Sequence, residues 1–150
     1  MTHVGPVGTG SLTKLANQVI VAATVTAVAE ALLLAERGGA DIVRVREALL
    51  GGFADSTILR QHGQRMVEGR FAPGGTVRNQ IKDTSAALDC ASELHLRLPI
   101  LQTVDGLFTA LSEHGGAELD HSGILLELKR LNGDSGAVWQ ATEALSTAQP

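Results

Sequence analysis

Lys14, Asn17 and Gln18 are the residues of this 150-residue chain whose types and spacing come nearest to a reaction centre. Positions three and four beyond a helical residue lie on its own face, so a helix through this segment presents an ammonium and two amides together. The positive end of a helix macrodipole disfavours an ammonium in the first turn, which suits a residue that gives up a proton. The amides can orient a hydroxyl or carbonyl by donating and accepting hydrogen bonds. The unpaired backbone N–H groups of the same turn, with the lysine, could hold a carboxylate or phosphate. A solvated lysine in a polar first turn is the plainer reading of the same residues. Lys82-Asp83, opening KDTSAAL, is a second candidate, and an ordinary charged first turn with Asp83 favoured by the macrodipole explains it equally well.

Other chemistries find no support. Gly5, Gly8 and Gly10 do not follow the G-x-G-x-x-G dinucleotide fingerprint and no strand precedes them, while Lys14 does not directly follow a glycine as a P-loop lysine must. His62, His95, His114 and His121 lack paired metal-ligand spacing, and Cys90 has no neighbouring His or Cys, so no metal site is expected and the histidines read as solvated or locally bonded. Ser11 and Ser56 fit helix caps better than nucleophiles.

The elements that must position these residues are helices. The lead-in HVGPVGTGS is glycine-rich and irregular, Ser11 serves as an N-cap, and no Gly or Pro interrupts the chain from Leu12 until Gly38-Gly39. The β-branched run VIVAATVTAV favours a strand on propensity, but its length and the continuation AEALLLAER argue for one long helix. Asp41 caps a second helix, Ser56 or Thr57 a third, and FAPGG is a turn. Helices then run from Arg78, from Pro99 and after Asp120, giving an all-α domain of six helices over residues 1–133, with residues 134–150 as an irregular tail anchored at most by Trp139.

With 44% apolar residues the chain can bury one sizeable core. A net charge of −4 gives no footprint for nucleic acid or an anionic membrane. The lone cysteine and the lack of a signal pattern fit a reduced, cytoplasmic setting. Val19 to Ala29 is too short to span a bilayer, yet it is apolar on nearly every face, which in a soluble helix calls for burial by neighbours or by a second subunit.

One resemblance covers nearly the whole chain. GPVGTGSLTKLANQVIVAATVTAVAEAL, followed in order by AERGGAD, GGFADS, FAPG, IKDTSAALD, LPILQTV and LDHSGILLELKRLNG, closely resembles the C-terminal domain of β-hydroxyacid dehydrogenases, specifically 3-hydroxyisobutyrate dehydrogenases and 2-hydroxy-3-oxopropionate (tartronate semialdehyde) reductases. The resemblance implies that Lys14, in the G-x-G-x-x-x-K motif, is catalytic and that Gly10, Asn17 and Gln18 line the substrate site. It also implies that Lys82 reaches the nicotinamide end of NAD or NADP, that the substrate is a small hydroxy or oxo acid, and that the long helix packs in a homodimer or higher homo-oligomer. The KLANQ form favours the reductase branch. Close relatives carry an aromatic where this chain has Gly75.

Members of that family begin with a Rossmann domain, of which this chain contains nothing, so most of the cofactor's binding surface is expected elsewhere. Two functions follow as expectations: the catalytic and dimerisation half of an NAD(P)-dependent oxidoreductase, or a non-catalytic helical oligomerisation module retaining an anion site. Neither nucleic acid nor membrane is expected as a partner.

Overall fold

The structure, a computed structural model, describes residues 4–147 and is all-α. Its first helix, α1, runs from Thr9 to Arg37. Gly8 starts it from a left-handed conformation, φ 97°, that a residue with a Cβ rarely adopts, and no side chain caps it. This corrects the expected start: Ser11 lies inside the first turn rather than at the cap, and Lys14 falls in the second turn. The macrodipole acts within the first turn, so its bearing on Lys14 is weaker than the sequence suggests.

The β-branched stretch stays helical because packing decides it. Ala22, Val25, Thr26, Ala29, Leu32 and Leu33 recur at helical spacing and are buried, and α1 packs against each of the five helices that follow. Burial of such a stripe outweighs a few tenths of a kcal/mol per residue of unfavourable propensity. The Thr26 hydroxyl, placed in this apolar seam, donates to the Ala22 carbonyl at 2.9 Å. By length and composition α1 could also cross a membrane; its buried stripe packs within the bundle, while Ile20 and Leu34 stay exposed.

The next helices start where short polar side chains reach free backbone donors. Asp41 accepts from the N–H groups of Val43 and Arg44 and opens α2 (Ile42–Leu49). Ser56 accepts from Leu59 N at 2.9 Å and opens α3 (Thr57–Glu68). Thr76 caps α4 (Val77–Glu93), and Pro99 occupies the first turn of α5 (Pro99–Leu111). Phe108 of α5 is completely buried in the core with Val104 and Leu111.

After α5 the chain makes a wide turn, Ser112–Gly116, with Gly115 at φ 95°. A Cβ on Gly116 would lie 2.5 Å from Leu111 Cδ1, so glycine is required there. The chain then returns beside the loop before α4. Val77 N donates to Leu119 O, Asp120 N to Phe71 O and His121 N to Gly75 O, all between 2.9 and 3.0 Å. These bonds fix Asp120 and His121 against residues 71–77. A single 3-10 turn, His121–Gly123, leads into α6 (Ile124–Leu131).

Beyond Gly133 the expected irregular tail is instead a seventh helix, α7 (Ala137–Thr147), packed on α6 and on the wide turn. Ala137 and Val138 anchor it, while Trp139 is 66% exposed and contributes little to docking. Small residues concealed this helix in the sequence, since its buried strip is too narrow to give a strong apolar period. Among the described residues there is no strand, only an isolated bridge between Thr76 and Asp120.

Candidate functional site

Because α1 packs along α4, the two candidate segments meet. The Gln18 side-chain amide donates to the carboxylate of Asp83, and the Asn17 amide donates to Gln18 Oε1 at 3.1 Å. A row therefore runs from Asp83 through Gln18 to Asn17. Its direction follows from chemistry: an ionised carboxylate only accepts, so Gln18 must present its NH2 to Asp83 and its carbonyl to Asn17. Asn17 is left with its carbonyl oxygen and one N–H for other partners.

Lys14 lies one turn before this row, exposed, and forms no ion pair or hydrogen bond among the described residues. Lys82, beside Asp83 in the second turn of α4, is exposed as well. Gly10 sits inside the first turn of α1, where a Cβ would meet nothing within 4 Å. Glycine within a helix costs about 1 kcal/mol relative to alanine. The fold of the chain gives no steric reason for it. All five sequence-derived site residues thus lie at the α1 and α4 N-terminal ends, three of them joined to one another or to Asp83 through hydrogen bonds or adjacency.

Sequence spacing missed a second cluster. His62 on α3 and His121 are separated by 59 residues, yet their Nε2 atoms are 2.9 Å apart. The rings meet edge to face with centroids 4.3 Å apart. His121 Nδ1 lies 3.1 Å from Gln80 Oε1, and His62 Nδ1 is 3.6 Å from Asp120 Oδ1. Asp120 is buried, and it receives Ser122 N and Oγ on Oδ1 and Gly75 N on Oδ2. Arg65 Nη1 stands 3.7 Å from Oδ2.

Burial pushes the Asp120 carboxyl upward, but the neighbouring His62 and the hydrogen bonds from Ser122 outweigh it and hold the group well below the usual carboxylate range. Burial, reinforced by neighbouring His62, pushes His121 down to about 4 against the pull of Asp120. Although the histidines show no paired ligand spacing in sequence, the fold brings His62, Asp120 and His121 together, with ligand-type atoms all within 4.8 Å of one another. The DHS triplet, with a cap residue followed directly by a histidine, was the signal available, but nothing in the sequence pairs it with α3. Gly75 also finds a role here, because a Cβ on it would sit 3.4 Å from His121 Cε1.

Of the other histidines, His114 approaches the fully buried Glu127 at 3.1 Å, and Arg130 closes on the same carboxylate at 2.7 Å. His95 ends α4 with φ 56°. Neither lies in the two clusters above.

Comparison with known proteins places this architecture. Residues 8–128 match the family described as NAD-binding of NADP-dependent 3-hydroxyisobutyrate dehydrogenase. The chain is 47% identical over 129 residues to 2-hydroxy-3-oxopropionate reductase of Escherichia coli, covering 86% of this chain and 44% of that protein. It is 34% identical over 132 residues to a probable mitochondrial 3-hydroxyisobutyrate dehydrogenase-like protein of Arabidopsis thaliana, covering 88% and 40%. The crystal structure of a 3-hydroxyisobutyrate dehydrogenase from Salmonella typhimurium superposes with a TM-score of 0.76 at 28% identity over 79% of this chain and 41% of that one. The chain belongs to the NAD-binding 3-hydroxyisobutyrate dehydrogenase family, within the β-hydroxyacid dehydrogenases. It spans less than half the length of the relatives it matches.

Proposed function

We propose that this chain forms the catalytic and dimerisation half of an NAD(P)-dependent oxidoreductase that reduces a small 3-oxo acid, such as 2-hydroxy-3-oxopropionate, to its hydroxy acid. The observation that carries this reading is the row Asp83, Gln18, Asn17 set one turn from the unpaired Lys14. NADH or NADPH, when bound, supplies the hydride.

The chain's own residues handle the rest. Asn17, with one amide N–H committed to Gln18, keeps a donor and an acceptor aimed in a defined direction for the substrate's hydroxyl or carbonyl. Lys14 holds the proton that the substrate oxygen takes as it becomes a hydroxyl. The open first turn at Gly8 and Gly10 offers backbone N–H groups to the acid's carboxylate, since the initial donors of a helix lack intrahelical partners. Lys82, exposed on α4, fits a place at the cofactor's nicotinamide end.

The dimerisation part rests on α1, whose Ile20 and Leu34 remain 66% and 76% exposed in the single chain. The name of the Escherichia coli relative, 2-hydroxy-3-oxopropionate reductase, and the KLANQ form of the motif support the choice of substrate. The test joins this chain to the nucleotide-binding half of that relative and follows NAD(P)H oxidation with 2-hydroxy-3-oxopropionate. Turnover that Lys14→Ala abolishes is expected. A soluble, folded fusion with bound cofactor and no turnover on any small 3-oxo acid would overturn the reading.

A further inference from the structure

We propose that His62 and His121 form a two-histidine site for a divalent transition-metal cation of the zinc class, binding through their converging Nε2 atoms. The site is separate from Lys14 and does not depend on the redox reading above.

The argument starts from the far side of each ring. His121 Nδ1 faces Gln80 Oε1 at 3.1 Å, and an amide oxygen only accepts, so in this arrangement Nδ1 carries the proton. His62 Nδ1 faces the Asp120 carboxylate at 3.6 Å and has no closer partner although it is buried. An ionised carboxylate likewise calls for a proton on that nitrogen. Each neutral ring then has its lone pair on Nε2, and the two lone pairs point together across 2.9 Å. Without something positive between them they repel.

A proton or a metal ion could fill that role. The two Nε2 atoms, 2.9 Å apart with the Asp120 carboxylate beside them, are ligand atoms of the kind such a cation takes. A histidine that donates its other N–H to a carboxylate or carbonyl is the usual arrangement behind a metal-bound imidazole. His121 has such a partner in Gln80 Oε1, and the Asp120 carboxylate stands 3.6 Å from His62 Nδ1. Asp120, with its ligand atom within 4.8 Å of both histidines, supplies negative charge. Side-chain exposure of 16% at His62 leaves a way in for the ion and for water to complete its shell.

Bond lengths require little movement. Zinc–imidazole bonds of about 2.0–2.1 Å at a tetrahedral angle separate two nitrogens by roughly 3.3 Å, so the two Nε2 atoms need to part by about 0.4 Å, with the rings turning to follow. Arg65 opposes the ion, but it addresses Asp120 Oδ2 and the Ala72 carbonyl, whereas His62 faces Oδ1. Its charge weakens binding without occupying the space between the rings.

A metal-free arrangement competes. Turning the Gln80 amide over would direct its NH2, which now has no partner, at His121 Nδ1. The His121 proton would then move to Nε2 and bridge to His62. The experiment must separate these two states.

The chelator-treated chain is titrated with Zn2+ by calorimetry and with Co2+ by visible absorption. Imidazole 15N spectra follow the rings of the same protein. One equivalent of Zn2+ is expected to bind in the micromolar range, to shift Nε2 of both His62 and His121, and to raise the melting temperature. His62→Gln and His121→Gln should each lower affinity about tenfold or more, with His114→Gln unchanged. The proposal is overturned if no saturable Zn2+ binding occurs, if either glutamine variant keeps the parent affinity, or if the spectra show a proton on His121 Nε2 that Zn2+ does not displace. The nitrogen spectra of the unmutated rings decide the matter even if a variant fails to fold.

Discussion

Gln18 donates its side-chain amide to Asp83 across 65 residues of sequence, tying the third turn of α1 to the second turn of α4. One consequence is that the two lysines of the proposed site belong to one rigid corner of the bundle. Another is that Asn17 inherits its orientation from a carboxylate it does not touch.

Replacing Lys14 by Ala in the joined enzyme should lower turnover by about a hundredfold to ten-thousandfold, the range typical of general acid–base assistance, with little change in KM for NAD(P)H. Arg should not restore the rate, because guanidinium keeps its proton. Steady-state rates beside a Lys82→Ala control test the assignment. Near-normal turnover in Lys14→Ala, with Lys82→Ala inactive, would reverse the assigned roles.

Asp83→Ala should raise KM for the oxo acid or depress kcat by about tenfold, corresponding to loss of one charge-assisted hydrogen bond that holds Gln18. Asp83→Asn, which keeps an acceptor oxygen, should lie between Ala and the parent. The contact lies at the bundle's edge, so thermal melts of all three should nearly coincide. Equal kinetics in all three would mean that Gln18 needs no holding.

Stability of the metal-free chain should fall on acidification in two stages. His121 has a folded pKa of about 4, below the ordinary 6.5. The unfolded chain therefore takes up this proton first, and the contribution is complete above pH 6.5 and lost as pH falls towards 4. Asp120, held below its ordinary value, adds stability that disappears only below about pH 4. Burial and the facing groups His62, Arg65, Asp120 and Gln80 set the first stage, which should amount to about 1–3 kcal/mol. Urea melts between pH 7 and pH 4 measure it. His121→Gln should flatten that segment, and an unchanged slope would place the titrating group elsewhere.

The first two predictions concern a site whose residues were readable in sequence, whereas the third concerns one that was not. Lys14, Asn17 and Gln18 lie within five residues, so helical periodicity alone brings them onto one face. The Ser56 and Asp41 caps and Pro99 in the first turn of α5 were equally legible, because each is a local satisfaction of backbone donors or φ. Two things were not. The true start of α1 depends on Gly8 taking φ 97°, which a run of three nearby glycines does not single out. The His62–His121 contact depends on how the turn after α5 lies against α3, a tertiary fact without a local trace. Glu127, completely buried in α6, also reads as a surface residue until His114 and Arg130 are seen around it.

Sedimentation of the chain at micromolar concentration should show a dimer. Ile20 and Leu34 sit largely exposed on the hub helix, about four turns apart and so on nearly the same face, and an isologous contact along α1 would cover both. Ile20→Glu or Leu34→Glu should shift the chain to monomer while leaving its helicity intact. A folded monomer in the unmutated chain would show that the exposed stripe needs no cover.

Trp139 has a consequence for how this molecule can be observed. It is the chain's single tryptophan, and there is no tyrosine. Because α7 docks through Ala137 and Val138 and turns the indole outward, the folded chain should emit with the red-shifted maximum of a hydrated ring. Loss of the core around Phe108 would then pass almost silently in intrinsic fluorescence. The same indole becomes a selective reporter for whatever settles on the outer face of α7, free of background from the rest of the bundle.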